Sequence, residues 1–163
     1  MKLDKIDLKI LKILQTEGKI TNVQLSQEIG LSPGPTLERV KKLEQTGIIE
    51  SYNATLNLRN VGLGFSALIN LSLTRQKDNA IQSFISKIKD IDEIIECYQL
   101  TGNYDYQLKA VVKNISSFEK LIGEKLSKID EIGEMQTMVV LSTIKQSKVM
   151  PLDYKSDRLV VQE

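Results

Sequence analysis

Residues 20–47 read ITNVQLSQEIGLSPGPTLERVKKLEQTG, and this stretch decides how the first third of the chain folds. Thr21 followed three residues later by Gln24 is a capping box: the threonine oxygen takes the Gln24 N–H, and the glutamine reaches back to the cap. Ile20 before the cap and Leu25 at the fourth helical position have the spacing of a hydrophobic staple. Leu25 and Ile29 share a face, and Gly30 suits a left-handed helix end. Two residues later Ser32 offers a second cap, and Pro33 fits a first helical position, where no N–H is needed. Pro35 still lies in the first turn, so its missing donor costs little. Leu37, Val40 and Leu43 then point to one side with Thr36 on the flank, and Gly47 with Ile48 has the form of a Schellman closure onto Leu43.

Upstream, Asp4 caps a helix from Lys5 to Gln15 with Ile6, Ile10, Ile13 and Leu14 as its stripe, and Gly18 ends the segment. A short helix, a tight turn and a second helix on a preceding one form the tri-helical helix-turn-helix, which lays its last helix in the major groove of duplex DNA. The plainer alternative is three packed helices without a partner. Opposite the Leu37–Val40–Leu43 side stand Gly34, Pro35, Glu38 and Lys42, with Arg39 and Lys41 at the edges. Arg and Lys suit guanine edges or phosphates, and Glu can accept from cytosine. The competing reading of Glu38 and Lys42 is an ordinary exposed helix pair. Free N–H groups near Ser32 suit a phosphate, and Thr21, Asn22 and Gln24 are candidates for backbone contacts that set position. The run Ile48–Leu56 has strand character, as a wing or as a strand that pairs with a second subunit.

Residues 57–64, with two glycines and little periodicity, read as a linker between a DNA-binding domain at 1–56 and a second domain at 65–148. In the second domain Phe65, Ala67, Ile69, Leu71 and Leu73 alternate as a strand with one buried side. Ile81, Phe84, Ile85 and Ile88 mark a helix, and Ile94–Thr101 a strand. After a turn at Gly102-Asn103, Tyr106, Leu108, Ala110 and Val112 mark a third strand. Ser116 with Glu119 reads as a further capping box, followed by the stripe Phe118, Leu121, Ile122, Leu126 and Ile129. Gly133 precedes a last strand with Met135, Thr137, Val139 and Leu141. The order β-α-β-β-α-β is the ferredoxin-like unit, so the fold class is α+β: a winged helix-turn-helix followed by a ferredoxin-like domain. Both helices cover one sheet face. The other, with Leu68, Val111 and Val140, is expected to be partly apolar and to want a second copy of the domain. In the tail, residues 149–163, Leu159-Val160-Val161 can add an edge strand.

Composition restricts the chemistry. The chain has no histidine and one cysteine, Cys97, which removes His-based triads, most zinc sites and any internal disulfide. Cys97 sits in an apolar run and reads as a packed thiol. No catalytic residues, metal or cofactor are expected, and the chain is not expected to be an enzyme. No run approaches the roughly 20 apolar residues of a membrane span, and the charged Met1–Lys5 start is unlike a signal sequence; a cytoplasmic protein is expected. Net charge is only +1, with nine cationic against seven acidic residues in 1–60, so bulk charge does not argue for nucleic acid. The densest cluster in the second half is Leu100-Thr101-Gly102-Asn103-Tyr104-Asp105-Tyr106. Gly102 suits a positive φ and Asp105 could hold an ammonium group, but Gly, Asn and Asp also simply make turns.

Several of these segments together resemble the Lrp/AsnC, or feast/famine, regulators. The resemblance is carried by Leu3-Asp4-x-x-Asp7-x-x-Ile10-Leu11, by Gly30-Leu31-Ser32-Pro33-x-Pro35-x-Leu37-Glu38-Arg39-Val40-Lys41-Lys42-Leu43-Glu44 and by Gly47-x-Ile49-x-x-Tyr52. In the second half it is carried by Cys97-x-x-x-Thr101-Gly102-x-Tyr104-Asp105-Tyr106 and Val139-Val140. It implies a transcription regulator that binds double-stranded DNA and forms homodimers, up to octamers, through the second domain. It also implies an amino acid or related effector held between dimers near the hairpin. Carried over by position, Gly102, Asn103, Tyr104, Asp105, Met138 and Val139 are the candidate ligand residues. Many members have Asp where this chain has Asn103.

Overall fold

The computed structural model describes residues 2–74, 78–152 and 159–160. The chain forms two compact units, one of residues 1–55 with 145–163 and one of residues 56–144.

In the first unit, β1 (Lys2–Leu3) leads into α1 (Lys5–Thr16), α2 (Asn22–Ile29) and α3 (Pro33–Gln45). Asp4 caps α1 and makes a full capping box with Asp7, as Thr21 does with Gln24 on α2. Gly30 is left-handed at φ 78°, and its Schellman pair runs from Gly30 N to Gln27 O and from Leu31 N to Ser26 O. Gly47, at φ 71°, closes α3 in the same way, with Ile48 N on Leu43 O at 3.0 Å. Ile10, Leu11, Leu25, Ile29 and Leu43 form the core.

One expectation fails here. Ser32 stands at the α3 cap without a side-chain bond. The reason is chemical: Pro33 and Pro35 have no N–H, so only Gly34 remains among the first three positions. For the same reason the helix start offers one free donor where several were expected. The run at 48–56 makes no strand within the single chain, and pairing with a second subunit is the reading of it that stays open. In the tail, Leu159–Val160 form the expected edge strand: β6 (Leu159–Val160) pairs antiparallel with β1, while Val161 lies outside the described residues.

The second unit runs β2 (Phe65–Leu73), α4 (Asp78–Lys89), β3 (Ile94–Gln99), β4 (Tyr106–Val112), α5 (Ile115–Lys120) and β5 (Ile132–Val139). The sheet order is β3-β4-β2-β5 with every neighbour antiparallel. Ala67, Ile69 and Leu71 are wholly buried against Phe84, Leu108 and Leu121 in a core of fifteen buried residues.

α5 starts at Asn114, whose Oδ1 accepts from Ser117 N at 2.9 Å, so Ser116 falls inside the helix and makes no cap. A π-helical turn, Leu121–Lys125, and a 3₁₀ turn, Leu126–Lys128, continue it. Gly133 lies within β5 beside a register shift, where a Cβ would come 3.2 Å from Thr74 Cγ2. Leu141 falls beyond the strand and is exposed. Cys97 is exposed on edge strand β3, contrary to the packed thiol expected. The open sheet face is partly apolar. Val111 is buried and Leu68 and Val140 half-buried, but Gln107 bonds Asn70 at 2.9 Å and Lys109 bonds Glu96 at 2.8 Å between them.

Candidate functional site

The inward side of α3 is set by Thr36 and Leu43, both wholly buried, with Val40 half-buried. Thr36 tolerates burial because its hydroxyl donates to Ser32 O at 2.9 Å. Leu37, expected inside, is 42% exposed. The helix is therefore turned by about half of a 100° residue step from the periodicity reading. This rotation brings Lys41 to the centre of the outward side with Gly34 and Glu38, leaves Lys42 beside them, and adds Gln45. All of these are exposed, as is Pro35. A Cβ on Gly34 would meet nothing within 4 Å, so the surface at the helix start is open to close approach. Lys41 and Glu38 form a loose 3.7 Å pair in solvent, which leaves both available.

The same rotation carries Arg39 to the inward edge. Its Nη1 lies 2.7 Å from Asp4 Oδ2 and 2.7 Å from Asp7 Oδ1. Burial works against the Asp4 charge, but bonds from the Asp7 N–H and Arg39 outweigh it and hold the carboxyl below its usual range. The residues expected to touch the DNA backbone from α2 are also engaged. Thr21 and Gln24 satisfy each other in the capping box. Asn22 Nδ2 donates to Pro33 O at 2.8 Å and ties the start of α2 to the start of α3. Neither the Asn22 tie nor the Arg39 cluster has a local sequence signal, because the partners lie eleven and more than thirty residues apart.

In the second unit the β3–β4 hairpin turns at Gly102, φ 120°, closed by Leu100 N on Asp105 O at 2.8 Å. Asp105 is bound to β2 twice: its N–H donates to Leu71 O, and its Oδ2 accepts from Leu73 N at 2.7 Å. Asn103 O accepts from Ser72 Oγ at 3.4 Å. Met138 and Val139 are elsewhere on the sheet, opposite Leu68 and Ala67 on β5. They lie three and four residues from Leu71 along β2, about 10–13 Å, and their side chains point to opposite faces. A single chain thus keeps the hairpin residues together and does not join them to Met138 and Val139.

Comparison with known proteins matches both units. Residues 66–150 fit the model of the Lrp/AsnC ligand binding domain, and residues 3–50 fit that of a winged helix-turn-helix DNA-binding domain. The chain belongs to the Lrp/AsnC family. It is 39% identical over 145 residues to the leucine-responsive regulatory protein of Escherichia coli, covering 89% of this chain and 88% of that one. A transcriptional regulator of Neisseria meningitidis, solved as a complex with L-Met, is 36% identical with a TM-score of 0.90 over 94% of this chain and 99% of its own. E. coli AsnC superposes with a TM-score of 0.83 at 26% identity, over 90% and 97% of the two chains. This Lrp/AsnC protein is thus a DNA-binding transcription regulator with a ligand-binding domain, and the curated relatives it matches are regulators. Among its described residues no helix is long and apolar enough to cross a membrane.

Proposed function

We propose that the protein acts in the cytoplasm, and not as an enzyme, by binding double-stranded DNA as a homodimer or larger assembly whose occupancy an amino acid adjusts. The observation that carries the DNA reading is the outward side of α3, where Lys41, Lys42, Glu38 and Pro35 stand exposed around the open Gly34. Lys41 and Lys42 reach phosphates or guanine edges, Glu38 accepts from a cytosine, and Ser32 with the Gly34 N–H meets a phosphate at the helix start. Thr21, Asn22 and Gln24 act mainly by holding the α2 start that presents this side.

For the effector, the L-Met complex of the meningococcal regulator supports an amino acid. Gly102, Asn103, Tyr104 and Asp105 contribute from the hairpin. Met138 and Val139 contribute from another copy, since one chain holds them apart. The test is a gel shift on a duplex selected by the protein from a random pool, with and without each of the twenty amino acids. Binding lost on Lys41→Ala/Lys42→Ala and altered by at least one amino acid supports the proposal. Undiminished binding by the double variant rejects the α3 surface. Binding indifferent to all twenty, with no thermal shift, rejects the amino-acid effector and leaves an architectural DNA binder.

A further inference from the structure

We infer that Arg39, Asp4 and Asp7 form a positioning clamp that sets the angle of the reading helix, and that Arg39 itself does not touch DNA. The inference rests on the reading of α3 as the DNA-recognition helix.

Each carboxylate in the cluster is divided between two tasks. Asp4 Oδ1 accepts from the N–H groups of Ile6 and Asp7, both at 2.8 Å, while its Oδ2 takes Arg39. Asp7 Oδ2 accepts from the Asp4 N–H at 3.1 Å, while its Oδ1 takes Arg39. The α1 cap and the ion cluster thus share both carboxylates, one oxygen of each serving the cap and the other Arg39. Both N–H groups of Nη1 are used in the pair of bonds. The Asp7 side chain is only 7% exposed, so loss of its cation strands a nearly buried charge.

The position of the clamp on α3 gives it a mechanical role. The Schellman turn at Gly30 fixes where α3 begins, and Thr36, Val40 and Leu43 hold its inward side against the core by packing, which is not directional. Asn22 holds the first residue, Pro33, to α2, and Arg39, six residues further on, holds the helix to α1. Two ties at separate points along an axis define its direction. An error of a fraction of an ångström at Arg39 grows toward the side chains that meet base edges, whereas phosphate attraction varies slowly with position. The clamp therefore acts on sequence discrimination more than on general affinity for DNA.

The test uses the full-length protein in fluorescence titrations across a salt series. The probes are the duplex selected from a random pool and poly(dI-dC). Asp7→Asn is expected to weaken binding to the selected duplex about tenfold, the scale of one lost base contact, with binding to poly(dI-dC) and the salt slope unchanged. Arg39→Ala is expected to do the same, and the double variant to be no worse than either single one. Lys42→Ala weakens binding to both probes and lowers the salt slope by about 1. Tighter binding or a steeper slope on Asp7→Asn overturns the inference, since Arg39 would then be a phosphate contact restrained by the acids. A slope lowered by Arg39→Ala overturns it too, as does unchanged discrimination in both variants. If Asp7→Asn does not fold, Arg39→Gln carries the same test. Undiminished binding by Lys42→Ala together with Lys41→Ala marks failure of the DNA-face reading and not of the clamp alone.

Discussion

The reading helix and the hairpin turn are built on opposite plans. The side chains proposed to meet DNA, Glu38, Lys41 and Lys42, come from little more than one turn of α3, and the residues tied to that helix from α1 and α2 belong to the same unit. The candidate effector residues are divided between a hairpin and a distant strand of one sheet, with Met138 and Val139 on opposite faces. A helix gathers neighbours in sequence onto one side by periodicity. A sheet does not, and a pocket that needs both groups closes only when another copy supplies one of them.

Four experiments break or sharpen this contrast. The largest effect is expected in the cores. Phe84→Ala removes a wholly buried ring whose centroid lies 4.8 Å from that of Tyr106, at about 3–5 kcal/mol. Leu43→Ala in the first unit removes a wholly buried leucine from a core with five buried residues among those described, at about 2–5 kcal/mol. Two independent units give two calorimetric transitions, each lowered by its own variant; a single transition lowered equally by both shows one cooperative block. Next is Asp105. Its replacement by Ala leaves the Leu73 N–H without its carboxylate, costing about 1–3 kcal/mol, read as a lower melting temperature. Asp105→Asn keeps an acceptor and most of the stability. If the carboxylate also binds an effector's ammonium group, only the amino-acid thermal shift disappears in Asp105→Asn; a retained shift removes Asp105 from the pocket.

A smaller effect is expected at the α5 cap, where Asn114→Ala should lower stability by about 1 kcal/mol and Ser116→Ala should do nothing measurable by urea denaturation. The smallest is a pH effect in the second unit. Lys87, with help from the Ser83 hydroxyl, holds the Glu131 carboxyl down to about 2. A carboxyl depressed in the folded state stabilises above its unfolded value, and that contribution fades as pH falls toward 2. Glu131→Gln should therefore flatten the fall in melting temperature below pH 4.5 and leave DNA binding at neutral pH alone.

What was legible followed the range of the interactions. Capping boxes, glycine helix ends and strand alternation are decided within about eight residues, so α2, its tight turn and the β-α-β-β-α-β order could be read directly. Where a local signal failed, a competing local chemistry decided it. Pro35 removed the donor that Ser32 needed, and Asn114 provided a better cap than Ser116. The exact face of α3 was not legible. Leu37 is more apolar than Thr36, yet Thr36 is the buried one, and its hydroxyl tolerates this because it donates to Ser32 O.

The sequence by itself determined the two kinds of unit and their order, the helix-turn-helix and the hairpin that ends in Asp105, because hydrophobic period and cap chemistry act locally. Only the tertiary structure decided that Arg39 faces Asp4 and Asp7, that Asn22 holds Pro33, and that Met138 and Val139 stand away from the hairpin. Those facts depend on which distant residues packing brings within hydrogen-bonding range, and no spacing along the chain records that.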